Sequence, residues 1–246
     1  MTGDLWDEQT AAGYDDASGA MFAPDVLGPT VDFLAGLAPG GRALELAIGT
    51  GRVAIPLRER GLRVAGIELS EPMVRKLRTK PGADGIEIVM GDMTTATAGA
   101  PGEFDLVYVV YNSISNVLTQ SEQVACFRNA ARHLRAGGRF VVELGVPDLR
   151  RLPPGAVAQA FHLSEHRVGF DTYDLLHQRL TSHHFWVGDG GEGQVLRSRH
   201  RYIWPSELDL MGELAGLRLA ERWADWSRAE FTEESRSHVS VWVKEG

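Results

Sequence analysis

The stretch RALELAIGTGR, residues 42–52, carries the first chemistry in this chain. An apolar, strand-like run ends in a loop with Gly49 and Gly51, and helix-like spacing follows. Glycines let such a turn tighten and let a ligand approach the backbone closely. The helix that opens there offers free N–H groups and the positive end of its dipole. Gly49-Thr50-Gly51-Arg52-Val53-Ala54 also fits the dinucleotide pattern G-x-G-x-x-G/A, which alone is a weak signal. Its acidic neighbours strengthen it. Glu45 sits at the end of the strand before the loop, Glu68 ends the next strand-like run, and Asp92 ends the third, in VMGDMTT. A carboxylate at the position of Glu68 can accept hydrogen bonds from ribose hydroxyls. The ligand expected at this turn is nucleotide-like.

A sheet has to bring these strand ends together. From residue 27 to about 146 the pattern alternates between helix and strand. LGPTVDFLAGLA has helical spacing, RALELA is a strand, and GRVAIPLRERG is a helix ending in Gly61. LRVAGIEL is a strand, and SEPMVRKLRTK is a helix with Ser70 as N-cap and Pro72 in its first turn. IEIVMGD is a third strand. FDLVYVVYNS is a fourth, continuous enough in apolar residues to be buried on both faces. SEQVACFRNAARHLRAGG predicts a helix with a glycine end, and RFVVELGV a fifth strand. This rhythm predicts an α/β fold with a doubly wound parallel sheet, whose ligands bind at the carboxyl ends of the strands. Residues 147–203 break it with short runs separated by turns, which predicts a small inserted antiparallel β-sheet with Gly188–Gly193 at a hairpin tip. PSELDLMGELAGL then predicts a helix. LRLAERWADW and SHVSVWVKEG are too close in sequence for a crossover helix, so they should pair antiparallel at the sheet edge.

The chain has 246 residues, 43% hydrophobic and 24% charged, enough for one large domain or a domain with an insertion. A formal charge of −8 without a basic stripe argues against a nucleic-acid partner. The single cysteine, Cys126, excludes an internal disulfide and a cysteine-rich zinc site, and its helical setting reads as core. The opening MTGDLWDEQTAAGYDD has neither a basic nor an apolar signal region, so no signal peptide is expected. No apolar run approaches the ~18 residues of a membrane span. A cytoplasmic enzyme, monomeric or homodimeric, with no membrane partner is the expectation.

Together LELAIGTGR, GIELSEPMV, VMGDMTT, FDLVYVVYNS and LRAGGRFVVEL resemble the class I S-adenosylmethionine-dependent methyltransferases. The resemblance covers roughly residues 27–146, and the helix and antiparallel pair over 205–246 resemble the end of the same fold. It implies a Rossmann-like seven-stranded methyltransferase sheet with an antiparallel last strand. Residues 1–146 and 204–246 would bind S-adenosyl-L-methionine, with 1–26 as a flap and 147–203 inserted over the acceptor. Glu45 would sit beside the cofactor's methionine part, with the backbone of Ala47, Gly49 and Gly51 close by. Glu68 would grip the ribose hydroxyls, and Leu69 and Met73 would pack near the adenine or ribose. Asp92 would accept from the adenine amino group, the Met93 N–H would reach a ring nitrogen, and Val110 and Tyr111 would line the transfer chamber. The family usually has glycine where Ala47 stands, and a methyl group fits there at negative φ.

A sulfonium methyl is already activated, so in-line transfer to O or N, with C left open, can proceed mostly through proximity and desolvation. A base is needed only if the acceptor must lose a proton. Tyr14 is one candidate: in many small-molecule members a tyrosine here hangs over the sulfonium. Anchoring of the flap is the alternative. Asn112 and Asn116 in YNSISN can each donate and accept hydrogen bonds, or simply cap the loop. Methyltransferases acting on amino sugars, which the sequence partly resembles, can carry histidine at the position of Asn116. Asparagine excludes a histidine-base mechanism there. Of His162, His166, His177, His183, His184 and His200, one near the chamber is expected. His183 is the candidate, since it and His184 must face opposite ways. No histidine pairs with a carboxylate at metal-ligand spacing, so no metal is expected. Trp186 could wall an apolar pocket, Trp204 and Trp242 read as packing residues, and Arg197, Arg199 and Arg201 share a face that is either a clamp or solvated. The acceptor expected is a small molecule. An NAD(P)-dependent oxidoreductase and a non-catalytic cofactor-binding protein are the rival readings. An antiparallel terminal pair favours the methyltransferase over the first.

Overall fold

The computed structural model describes residues 6–188 and 192–246. Strands β1 (Arg42–Leu46), β2 (Arg63–Glu68), β3 (Glu87–Met90), β4 (Phe104–Val109) and β5 (Leu134–Gly145) run parallel. With β10 (Leu217–Trp223) and β11 (Ser237–Lys244) they form a seven-stranded sheet in the order β10-β11-β5-β4-β1-β2-β3. β11 lies antiparallel to both neighbours, which is the terminal pairing the sequence predicts. The pleat sends alternate side chains to two cores. Leu44, Leu46, Val107, Val109, Phe140 and Val142 pack towards α5 (Gln120–His133) and α6 (Pro205–Leu214). Ala43, Leu106, Tyr108 and Val141 face α2 (Pro24–Leu37) and α3 (Ala54–Glu59). Cys126, on α5, is fully buried in the first of these cores.

Two local expectations are corrected. Helix α5 ends at His133 instead of running to Gly138, and β5 starts at once with Leu134. The glycines there admit a close approach: a Cβ on Gly138 would lie 2.9 Å from the Arg135 carbonyl and 3.2 Å from that of Asp105 in the adjoining segment of β4. Ala47 does not take a negative φ. It sits at φ 59°, in the left-handed region between Leu46 and the glycine pair Gly49 (φ 56°) and Gly51 (φ 79°). An L-residue there costs about 1–2 kcal/mol. At Gly51 a Cβ would also press on the Leu77 side chain, 3.0 Å away, of α4 (Glu71–Arg78).

The four strands β6 (Ala158–Leu163), β7 (Arg167–Asp174), β8 (Arg179–Val187) and β9 (Gly193–Arg201) form a separate antiparallel sheet in chain order. Gly188 N–H donates to the Glu192 carbonyl at 2.9 Å, while residues 189–191 of the expected tip lie outside the described residues. The base of this sheet is anchored by Arg201, only 5% exposed, so Arg201 does not share the solvated setting of Arg197 and Arg199. Its guanidinium donates to Glu207 at 2.7 Å, Gln178 at 2.9 Å and Gln123 at 2.6 Å. Trp242 is fully buried, as a packing residue should be, whereas Trp204 stands 39% exposed at the start of α6. Among the described residues no helix is long and apolar enough to cross a membrane.

Two stability measurements follow from these positions. Glu207→Gln strips the Arg201 guanidinium of the carboxylate it pairs with and should cost about 3 kcal/mol, lowering the melting temperature by roughly 6–12 °C. An unchanged melting curve would show that the glutamines alone satisfy Arg201. Ala47→Gly relieves the left-handed alanine and should raise stability by up to about 1 kcal/mol, read in a urea titration.

Candidate functional site

The carboxyl ends of β1, β2 and β4 meet at one cleft. Glu68, the last residue of β2, is 6% exposed and spends its carboxylate on three backbone N–H groups. Oε2 accepts from Gly49 at 2.8 Å, and Oε1 from Leu69 at 2.9 Å and Ser70 at 2.8 Å. Burial pushes its pKa up, and the three N–H groups pull part of that back. Ser70 caps α4 by accepting the Met73 N–H. Glu45 is buried one strand over, with its Oε2 accepting the Tyr108 hydroxyl at 3.0 Å. Burial pushes Glu45 to about 8, against the pull of Tyr108 and Arg52. The cleft is lined by Ala47, Gly49 and Glu68 and by the apolar side chains of Ile67, Leu69, Met73 and Met93. Glu45, Gly51 and Asp92 are not among the residues that line it. Asp92 Oδ1 accepts from the backbone N–H (2.8 Å) and hydroxyl (2.7 Å) of Thr94, which fixes the GDM turn.

Helix α1 (Glu8–Ala17) covers the cleft. Trp6 and Tyr14 pack edge to face with ring centres 5.7 Å apart and line it from above. Asp15 accepts from the Thr50 hydroxyl at 2.7 Å and pairs with Lys80 at 2.8 Å, and Lys80 in turn donates to the Thr50 carbonyl at 2.8 Å. The Ser70 hydroxyl donates to the Trp6 carbonyl at 2.6 Å. The covering segment is therefore tied to the glycine loop and to α4. Burial pushes the Tyr14 phenol up to about 12.

Under Trp6 and Tyr14 the enclosed space is about 60 Å³, and it adjoins a larger chamber of about 570 Å³ roofed by the inserted sheet. One wall is the turn after β4, where Tyr111 (φ 54°) and Asn112 (φ 60°) are both left-handed. β5 holds them there: Glu143 accepts the Tyr111 N–H at 2.8 Å, and Asn112 Oδ1 accepts the Gly145 N–H at 2.7 Å. Arg52 stacks over the Tyr111 ring at 5.2 Å. Two placements differ from expectation. Val110 is 5% exposed and packs in the core instead of the chamber. His183 points away from the chamber, stacked on Phe170 and 3.0 Å from the Thr172 hydroxyl. The pleat instead puts Ser182, His184, Ser198 and His200 on the chamber side, with Tyr173. Trp186 shares their face and stacks on His184 at 5.5 Å.

Asn112 and Asn116 both line the chamber, and Asn116 also lines the cleft. Sequence reasoning missed Trp6, Asp15, Lys80, Ser113, Glu143 and the two roof serines, whose types carry no motif signal. The strand parity of Ser182 and Ser198 with His184 and His200 could have found the serines. Among the described residues no group of His, Cys, Asp and Glu is placed to hold a metal ion.

Comparison with known proteins agrees with this geometry. The model of a methyltransferase domain matches residues 43–138. The solved structure of the CcbJ methyltransferase from Streptomyces caelestis is 36% identical, superposes with a TM-score of 0.88, and each chain is covered in full. A cypemycin N-terminal methyltransferase from Streptomyces sp. is 27% identical over 205 residues, 82% of either chain. The structure of SAM-bound CalS10, an amino pentose methyltransferase from Micromonospora echinaspora, shares 20% identity and the fold, with a TM-score of 0.66 over 89% of this chain and 90% of its own. The nicotinamide and non-catalytic readings fall with these matches, and the chain belongs to the class I S-adenosylmethionine-dependent methyltransferases.

Proposed function

We propose that this enzyme methylates a nitrogen or oxygen atom of a small molecule held between the sheet ends and the inserted strands. The observation that carries this reading is the continuity of cleft and chamber: Trp6, Tyr14, Ser113 and Asn116 line both. The relative named for an N-terminus and the fold neighbour named for an amino pentose support an acceptor of this kind.

The residues present fit the cofactor. A buried carboxylate at a strand end, with apolar Leu69, Met73 and Met93 beside it, suits a ribose diol and a flat base. S-adenosylmethionine supplies a methyl group already activated on a sulfonium sulfur. Glu68 accepts the ribose hydroxyls, and Asp92 and the Met93 N–H read the adenine edge. Glu45 and the backbone of Ala47, Gly49 and Gly51 receive the amino-acid end. Trp6 and Tyr14 exclude water from above, and the Tyr14 phenol stays protonated and can donate a hydrogen bond. Tyr111 and Asn112 wall the acceptor beside Asn116. Holding both partners in line can supply ~7–11 kcal/mol of the barrier.

Glu68→Ala should weaken binding of S-adenosylhomocysteine at least ~100-fold, because it removes the acceptor facing the ribose and also the ties to Gly49, Leu69 and Ser70 that shape the cleft. Calorimetry on the variant, with circular dichroism to verify its fold, checks this. Wild-type protein that binds NAD or NADP instead would sink the reading.

Binding should also release a proton. Near pH 7 the free protein holds Glu45 mostly protonated, because burial raises it to about 8. A positive charge bound in the adjoining cleft favours the carboxylate, so its pKa falls and the proton leaves. Titrations at pH 7 in two buffers of different ionisation enthalpy should report release approaching one proton per S-adenosylhomocysteine. Glu45→Gln should abolish that release. Identical heats in both buffers for the wild type would show that Glu45 faces no charged group.

A further inference from the structure

Cleft and chamber meet at Trp6, Tyr14, Ser113 and Asn116, and on the reading above transfer takes place where they meet. An indole, a phenol, a hydroxyl and a carboxamide stand there. None is a base at neutral pH. The other ionisable groups lining the chamber among the described residues, tyrosines aside, are Asp148, His184 and His200, and none of them reaches the cleft. The two roof histidines are also poor bases. His200 is tied to the Ser198 hydroxyl at 2.8 Å and held near 4 by burial, and His184 lies 3.3 Å from the Arg167 guanidinium, its pKa lowered by burial and by that charge.

Asn116 holds the complementary observation. Its Oδ1 is buried and accepts no hydrogen bond among the described residues, although the residue lines both cavities. A buried carbonyl without a donor costs about 1–3 kcal/mol. A small turn of the side chain, which already lines both cavities, would bring Oδ1 to a donor on a molecule held there.

We propose that the methyl acceptor is a neutral amine nitrogen, and that Asn116 Oδ1 accepts one of its N–H bonds at the point of transfer. A hydroxyl keeps its proton at neutral pH and needs a base to become a strong nucleophile. An amine gives up its ammonium proton to bulk water far more readily than a hydroxyl ionises, and the neutral form that enters the site already presents a lone pair. With one N–H held by Asn116, that lone pair is turned towards the cofactor cleft. The lone pair forms the new C–N bond as the C–S bond breaks, and the electrons of that bond stay on sulfur. The nitrogen becomes a methylated ammonium with its hydrogens retained, and it loses a proton to water after release. Primary and secondary amines meet the requirement. Tertiary amines, with no N–H to offer, do not.

Sinefungin tests this directly, since it carries an amino group where the cofactor carries its methyl. Calorimetry would compare sinefungin with S-adenosylhomocysteine on the wild type, Asn116→Leu and Asn116→Asp. Asn116→Leu keeps the branched shape at Cγ and removes both the acceptor and the donor atom. It should lose about tenfold in sinefungin affinity (about 1.4 kcal/mol) while S-adenosylhomocysteine binds within twofold of wild type. Asn116→Asp, which keeps an acceptor, should restore sinefungin binding. Equal losses for both ligands would mark Asn116 as structural and overturn the proposal, as would no loss for either. Wild-type protein that binds neither ligand would overturn the cofactor reading beneath it. In a panel of matched amines and alcohols with labelled methyl, an O-methylated product or a methylated tertiary amine would also overturn it.

Discussion

The site depends on one buried carboxylate. Among the described residues Glu68 forms no ion pair; it is held by the N–H groups of Gly49, Leu69 and Ser70. Those amides belong to two different turns, the one after β1 and the one after β2. The carboxylate therefore fixes the distance between the glycine loop and the start of α4. Charge-assisted bonds to backbone amides are roughly twice as strong as neutral ones, and their geometry leaves little slack. A shorter or neutral side chain would free the loop from β2, and the cleft between them would lose its shape.

The turns around the cleft store strain that their neighbours hold in place. Ala47, Tyr111 and Asn112 are left-handed without being glycine, and all three follow the carboxyl ends of adjacent strands, β1 and β4. Such residues persist only where the surroundings over-determine them. For Tyr111 and Asn112 the surroundings are Glu143 and Gly145 of β5, which engage the backbone of one and the side chain of the other. Glu143 also accepts the Trp226 indole N–H at 2.8 Å, so the same carboxylate links the chamber wall to the segment beyond β10.

The cofactor half was legible because backbone geometry dictates residue type there. Glycines at a close approach, acids at strand ends and apolar runs for buried strands each leave a mark in the sequence. The sheet, its antiparallel pair and the inserted strands were readable for that reason. The lining of the chamber was not, because its polar side chains obey no backbone rule. His183 and His184 show the limit. Parity states that they face opposite ways, yet which one faces the chamber depends on how the inserted sheet docks. That docking rests on Arg201 meeting Glu207, Gln178 and Gln123, contacts between distant segments that no local pattern announces. Ala47 shows another limit. Its φ of 59° belongs to the turn whose Gly49 N–H meets Glu68, and residue type alone does not announce a left-handed alanine.

The ties that hold the cover differ in kind from those that hold the cleft. Asp15 pairs with Lys80 and Lys76 where all three side chains are about a fifth to a quarter exposed. Burial alone would raise Asp15; the hydrogen bonds from Lys80 and Thr50 bring it below the ordinary carboxylate range. The outermost link, Arg75 to Glu8, lies in solvent and is worth at most ~1 kcal/mol. Glu68, by contrast, bonds beneath the surface, where breaking one contact leaves a polar group unsatisfied. The cover is thus joined by weak, separable contacts to a loop that is itself held firmly. An enzyme that must admit a large nucleotide and then exclude water from the transfer point needs both properties. This chain places them on opposite sides of Thr50, whose hydroxyl meets Asp15 and whose neighbour Gly49 meets Glu68.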